Sequence, residues 1–250
     1  MPVIFVTGAT SGFGAATARL FARNGWKVVA TGRRQERLDA LAAEFPGLIH
    51  GTRMDLTDKA SVEAAVAALP AEFRPIMCLF NNGGLALGST PIPNTRFEDW
   101  ETMINTNIKG LLYTTMAVLP LLQAAGRGAS IINVGSIAGR LAYPGGNVYG
   151  GTKAFVHNFS ENLRTDLGGG DIRVTALEPG LAKTEFTKVR TYGDDAANEK
   201  FYEGIEPILP ENIADLAWFI ANQPPHINIG FLEVTCTAQI PARTTVVRKN

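Results

Sequence analysis

The chain is poor in the residues that build metal centres and cross-links. It has two cysteines, Cys78 and Cys236, and three histidines, His50, His157 and His226, in 250 residues. Neither cysteine belongs to a C-x-x-C pair, so a disulfide framework or a zinc site has no basis and no metal is expected. The scattered histidines read as structural or surface residues. Charge of one sign is missing too. Basic and acidic residues balance at 23 each, and without a long basic run a nucleic-acid partner is not expected. No apolar run reaches the ~18 residues of a membrane span. The nearest, Leu111 to Ala125, is interrupted by Tyr113, Thr114, Thr115, Pro120 and Gln123. The amino terminus has no charged region followed by a signal-length apolar run; polar, glycine-rich sequence begins at Thr7. A soluble, cytoplasmic protein with no membrane partner is the expectation. Repeats, linkers and low-complexity tracts are absent, and 46% hydrophobic residues supply ample core. One domain over residues 1–250 is the simplest reading.

What is present is alternation. Short β-rich apolar runs at Val3–Thr7, Lys27–Thr31, Leu48–Met54, Ile76–Asn81, Ser130–Gly135, Ile172–Glu178 and Phe231–Thr235 are separated by helical stretches. These lie near residues 13–24, 34–44, 58–68, 97–124, 148–166 and 210–222. Strand–helix alternation predicts right-handed crossovers and a parallel sheet covered on both faces. The fold class is therefore α/β: a doubly wound Rossmann fold on a single seven-stranded sheet. Asn94 or Thr95 is expected to cap the helix over 97–124. That helix carries apolar residues on more than one face, Trp100, Ile104, Ile108 and Leu111 on one stripe and Met103, Tyr113 and Met116 off it. A helix covering one sheet needs one stripe. It is either deeply buried or packed against another subunit, and a homo-oligomer is expected.

The first strand runs into Thr7-Gly8-Ala9-Thr10-Ser11-Gly12-Phe13-Gly14 and then an Ala-rich helix. Glycine is needed where backbone turns tightly or lies against a pyrophosphate, and the helix amino terminus offers N–H groups and a positive dipole end to that anion. The spacing is G-x-x-x-G-x-G, so the residues predicted to hold a dinucleotide are Gly8, Thr10, Ser11, Gly12, Phe13 and Gly14. At the end of the second strand, ~20 residues on, a carboxylate would hold the ribose of NAD. Arg33 and Arg34 stand there instead. A guanidinium pairs with the 2′-phosphate of NADP, where an aspartate would repel it. The alternative is that the two arginines only open the next helix, but two cations at a helix amino terminus oppose its dipole. NADP(H) is the expected cofactor.

Tyr149 and Lys153 are four residues apart, on one face of a helix. A free tyrosine titrates near ~10, and a neighbouring ammonium lowers that value. Ser136 follows the fifth strand, at the edge where ligands of open parallel sheets bind. With these residues in view, the chain resembles the short-chain dehydrogenases/reductases over nearly its whole length. The family's glycine motif falls on Thr7 to Gly14, its Asn-Asn-Ala-Gly on Asn81-Asn82-Gly83-Gly84, and its Pro-Gly-x-x-x-Thr on Pro179, Gly180 and Thr184. Asp55-Leu56 matches the pair that touches adenine. The catalytic Asn, Ser, Tyr and Lys fall on Asn107, Ser136, Tyr149 and Lys153. The departure is Gly83 for alanine, which should loosen the backbone beside the cofactor. The resemblance implies that Tyr149 donates a proton to a carbonyl oxygen in reduction and accepts it in oxidation. Lys153 lowers the Tyr149 pKa and binds the nicotinamide ribose, Ser136 positions the carbonyl, and Asn107 holds a water linking Lys153 to solvent. It further implies cofactor contacts at Asp55, Leu56, Asn81, Asn82, Gly83, Tyr149, Lys153, Pro179, Gly180, Leu181 and Thr184, and a tetramer or a dimer.

Three stretches, Ala30 to Leu38, Gly145 to Gly150 and Glu178 to Leu181, resemble one subgroup: NADP-dependent 3-hydroxy acid dehydrogenases, with sulfoacetaldehyde reductases similar. Their implied substrate is a small acidic hydroxy compound or aldehyde, such as malonic semialdehyde or sulfoacetaldehyde. An anionic substrate requires a cation. The polar lid after Thr184, about residues 184–206, offers Lys188 and Arg190. Arg190 is the first candidate, because a fork of donors matches a carboxylate or sulfonate; Arg140 is the second. Either arginine is otherwise a solvated surface residue. Ser136, Tyr143, Tyr149 and Arg190 form the predicted substrate site, with Leu87 as a wall. Two other functions stay open: a broad reductase of neutral aldehydes and ketones, and a non-catalytic NADP-sensing protein.

Overall fold

The computed structural model describes residues 1–168, 170–194 and 202–240. Seven strands, β1 (Val3–Val6), β2 (Lys27–Gly32), β3 (Ile49–Arg53), β4 (Cys78–Asn81), β5 (Ser130–Val134), β6 (Arg173–Pro179) and β7 (Phe231–Val234), form one sheet in the order β3-β2-β1-β4-β5-β6-β7. Every pairing is parallel, with registers such as Phe5 opposite Val29 and Leu79. The expected doubly wound sheet is present. Side chains alternate across it, and helices lie on both faces, so all four residues of β1 are buried. Ile4, Val6, Val28 and Ala30 pack with α1 (Gly12–Arg23), α2 (Gln35–Glu44) and α8 (Pro210–Ala221). Val3, Phe5, Val29 and Leu79 pack on the other side with α3 (Lys59–Ala67) and α5 (Gly110–Ala125).

The stretch expected to be one helix over 97–124 is two. α4 (Phe97–Ile104) passes through a π turn, Asn105–Lys109, into α5. Arg96, not Asn94 or Thr95, stands at the N-cap, and Glu98 and Asp99 complement the dipole in the first turn. By length and composition this stretch, Phe97–Ala125, is long and apolar enough to cross a membrane. Its apolar residues have another account in the fold: Val118 and Leu122 lie in the core beneath the sheet, and Met103 packs with Ala86 and Tyr149. A short helix not foreseen in the sequence, α7 (Glu185–Arg190), follows β6. α6 (Asn147–Asp166) precedes it. Strand order reverses between β1 and β4, which opens a crevice at the carboxyl ends of the strands.

Candidate active site

The glycine turn lies on one side of that crevice. Gly8 and Gly12 have positive φ, 67° and 50°. A Cβ on Gly14 would stand 2.3 Å from the Gly8 carbonyl oxygen, so only glycine lets α1 start this close to the turn. Thr7 joins the turn to the end of β4. Its hydroxyl accepts from the main-chain N–H of Asn82 (2.9 Å) and of Gly83 (2.8 Å), while the Asn82 amide donates to the Thr7 carbonyl (2.9 Å). Glycine at 83 serves packing more than backbone freedom: a Cβ there would lie 2.3 Å from Leu56 Cδ1. Asn81 turns inward. Its amide donates to Thr115 and to Asn133, each at 3.0 Å, within the core. Burial works to raise the Asp55 carboxyl, but hydrogen bonds from the Thr57 N–H and hydroxyl, with Arg33 and Arg53 nearby, hold it below its ordinary value.

Arg33 is exposed at the end of β2. Arg34 crosses to the glycine turn, where Nη2 donates to Thr10 Oγ1 (2.9 Å) and Ser11 Oγ (3.0 Å). Its Nη1 meets Glu185 Oε2 at 3.0 Å, and Arg37 meets Glu185 Oε1 at 2.7 Å. Thus the first residue of α7 is tied to the glycine-turn side of the crevice. Thr184, whose hydroxyl caps α7 at Phe186 N–H, stands over Gly12. Gly180 is pressed against Gln239, whose Oε1 accepts from Leu181 N–H at 2.7 Å.

On the other side, Ser136 caps a short 3₁₀ turn after β5, accepting from Ala138 N–H at 3.1 Å. Tyr149 and Lys153 share the buried face of α6. Lys153 Nζ donates to the Val134 carbonyl at 2.8 Å and lies 5.9 Å from the centre of the Tyr149 ring. Burial pushes Lys153 down to about 8, against the pull of the Glu178 carboxylate. Burial raises the Tyr149 phenol above its ordinary value; a hydrogen bond with Ser136 and the charge of Arg190 work the other way. Asn107 sits in the π turn. Its Oδ1 accepts from Leu85 N–H (2.9 Å), and its Nδ2 donates to the Leu85 carbonyl (2.8 Å) and Thr152 Oγ1 (3.1 Å). A Cβ on Gly84 would stand 3.1 Å from Asn107 Oδ1 and 3.7 Å from Lys153 Nζ, so the two approach across this glycine.

Arg190 ends α7 directly above this group. Its guanidinium carbon is 5.4 Å from the Tyr143 ring centre and 5.9 Å from that of Tyr149, and Nη2 donates to Tyr143 Oη at 3.3 Å. The four predicted substrate residues are therefore neighbours. Phe186, which no sequence pattern marked, packs on Tyr149 at 5.6 Å. Arg140 does not join them. Its guanidinium is held by the fully buried Glu178 and by Glu233 and stacks on Phe231, so it is spent within the β6–β7 layer. Leu87 is half-buried and Lys188 exposed, and residues 195–201 of the expected lid lie outside the described residues. Among the described residues, no group of three His, Cys, Asp or Glu could hold a metal.

A family model, short chain dehydrogenase, matches residues 2–194. The chain belongs to the short chain dehydrogenases. It is 52% identical to a sulfoacetaldehyde reductase of Chromohalobacter salexigens, covering 94% of both chains. It is 50% identical to the NADP-dependent 3-hydroxy acid dehydrogenase YdfG of Salmonella typhi, covering 98% of this chain and 99% of that one. A solved structure, the closed form of serine dehydrogenase complexed with NADP+, superposes with a TM-score of 0.96 at 48% identity over 99% of this chain and all of that chain.

Proposed function

We propose that this short-chain dehydrogenase is an NADP(H)-dependent oxidoreductase acting on a short acidic hydroxy compound and its aldehyde, of the 3-hydroxy acid/malonic semialdehyde or isethionate/sulfoacetaldehyde type. The observation that carries this reading is Arg190, a fork of donors seated on Tyr143 and Tyr149. The names of its relatives fit the same chemistry. The glycine turn, Asn82, Gly83 and Thr184 would hold the dinucleotide, with Arg33 and Arg34 at its 2′-phosphate. The cradle fits: a Cβ on Gly14 would close it, and arginines rather than a carboxylate stand directly after β2.

When bound, the nicotinamide gives or takes the hydride. The chain manages the proton and the charge. The buried Tyr149 phenol is neutral near pH 7, as a donor to a carbonyl oxygen must be. Giving up its proton leaves a phenolate beside the Arg190 and Lys153 cations. Ser136, hydrogen-bonded to the Tyr149 phenol, orients the same carbonyl oxygen. Arg190 and Tyr143 hold the carboxylate or sulfonate, whose reach fixes which carbon faces the cofactor.

The test is NADPH oxidation with malonic semialdehyde, sulfoacetaldehyde and propanal side by side. The reading expects kcat/KM at least about tenfold higher for an acidic aldehyde, some 1.4 kcal/mol of discrimination. Equal rates would leave a broad carbonyl reductase; NADPH binding with no turnover on any would leave a sensor.

We also assign a homo-oligomer, a tetramer before a dimer. A shallow apolar groove on α4 and α6, lined by Ile92, Trp100, Ile104, Ile108 and Val148, supports it, as does exposed Met116 on α5. Light scattering of a monomer at micromolar concentration would refute it. Cys78 and Cys236 are both free, which suits the reducing cytoplasm.

A further inference from the structure

The loop after α7 spends conformational energy at one residue. Helix C-termini commonly close with a left-handed residue, usually glycine, in the Schellman arrangement. Here the arrangement is complete: Gly193 N–H donates to the Lys188 carbonyl at 2.8 Å, and Tyr192 N–H to the Val189 carbonyl at 3.2 Å. The residue at the left-handed position is nevertheless Tyr192, with φ 54°, and glycine follows one place later. Among the described residues it is the one non-glycine with positive φ. Such a residue persists where its side chain is needed and its surroundings hold it.

The Tyr192 side chain has a specific use. Its hydroxyl donates to Oδ2 of Asp99, a buried carboxylate in the first turn of α4. The same loop of the β4–α4 connection holds Arg190 at both ends. Gly88 N–H donates to the Arg190 carbonyl at 3.1 Å, and Arg190 Nε donates to the Gly88 carbonyl at 3.3 Å. Gly88 is itself left-handed, φ 65°, and a Cβ on it would stand 3.1 Å from the Tyr192 hydroxyl. Glycine is therefore placed where the tyrosine must pass, and tyrosine where glycine would be easier.

We propose that the Tyr192–Asp99 hydrogen bond is a latch that seats Arg190 over Tyr143 and Tyr149, which makes Tyr192 and Asp99 positioning residues for the acidic end of the substrate. The latch fastens the end of the lid helix to α4, and Gly88, eleven residues before Asp99, transmits that fixed position to the guanidinium. It rests on the reading of Arg190 as the substrate's counter-cation.

Tyr192→Phe tests it, since the ring and the backbone are kept and only the hydroxyl is lost. KM for the acidic aldehyde should rise on the order of tenfold, as befits a lost hydrogen bond to a charged group, with kcat, KM for propanal and NADPH affinity unchanged. In an Arg190→Ala background the same substitution should change nothing further, because the latch acts through Arg190. Tyr192→Gly offers α7 a better cap and should still show the high KM, which separates the latch from a stability effect. If Arg190→Ala raises KM for the acidic aldehyde and Tyr192→Phe does not, the latch is wrong and the counter-cation reading stands. Equal effects of Tyr192→Phe with and without Arg190 overturn it too. If Arg190→Ala itself leaves that KM alone, both fall together.

Discussion

The Arg190 guanidinium stands 5.9 Å from the centre of the Tyr149 ring. On the proposed reading, a substrate-binding cation and a proton donor share one wall of the pocket. Arg190→Ala should raise KM for acidic aldehydes strongly, by about 10- to 100-fold for a lost charge-assisted pair, and spare neutral ones. Arg190→Lys should recover only part, because an ammonium lacks the fork. Steady-state kinetics on paired acidic and neutral substrates decides this; an equal loss on both would mean that the arginine only supports the fold.

Tyr149→Phe should lower kcat by about 10²- to 10⁴-fold, the usual worth of a positioned acid, while NADPH binding, followed by nicotinamide fluorescence, is retained. Appreciable turnover in this variant would remove Tyr149 from the proton step.

Glu185 occupies part of the Arg34 fork. The pair is partly exposed, so it is worth only about 0–1 kcal/mol, and a doubly charged phosphate should displace it. Glu185→Gln is expected to tighten NADP+ about two- to fivefold and leave NAD+ unaffected, whereas Arg34→Ala should weaken NADP+ selectively. Calorimetric titration of both dinucleotides would settle the point, and a parallel change in NAD+ affinity would argue against a phosphate site.

Lys153 gives a pH signature. Its folded value is about 8, against roughly 10.4 for an unfolded lysine. Between the two the unfolded chain binds more protons, so stability contributed by this group rises with pH. Below about 8 the lysine is charged in both states and the desolvation cost is present in full. The cofactor-free wild type should therefore gain a few degrees in Tm on Lys153→Met as pH climbs from 8 towards 10. A constant difference over that range would show that the lysine is not desolvated.

Much of this architecture was legible in the chain because it is written locally. The seven strands announced themselves as short apolar runs, and the glycine turn, Ser136, Tyr149 and Lys153 stand where their local patterns put them. What escaped was long-range. Nothing near Glu185 signals that it will meet Arg34 and Arg37, some 150 residues earlier. Arg140 looked available in sequence, yet two carboxylates from neighbouring strands take it. Tyr192 carries no local signal of its place, which depends on Asp99 and on a backbone angle that composition does not reveal. The split of the long helix was invisible for a related reason, since π and α turns draw on the same residues.

That π turn bears on how this enzyme tolerates change. Asn107 reaches Leu85 and Thr152 from within it. A wide turn holds one more residue than the ladder on either side requires, so removing one residue between Asn105 and Lys109 would leave a straighter helix with regular bonds. Such a deletion should cost little in melting temperature and most of the activity, because every side chain before the cut would swing by about 100° relative to α5. In this stretch, chain length is itself a functional constraint, independent of which residues fill it.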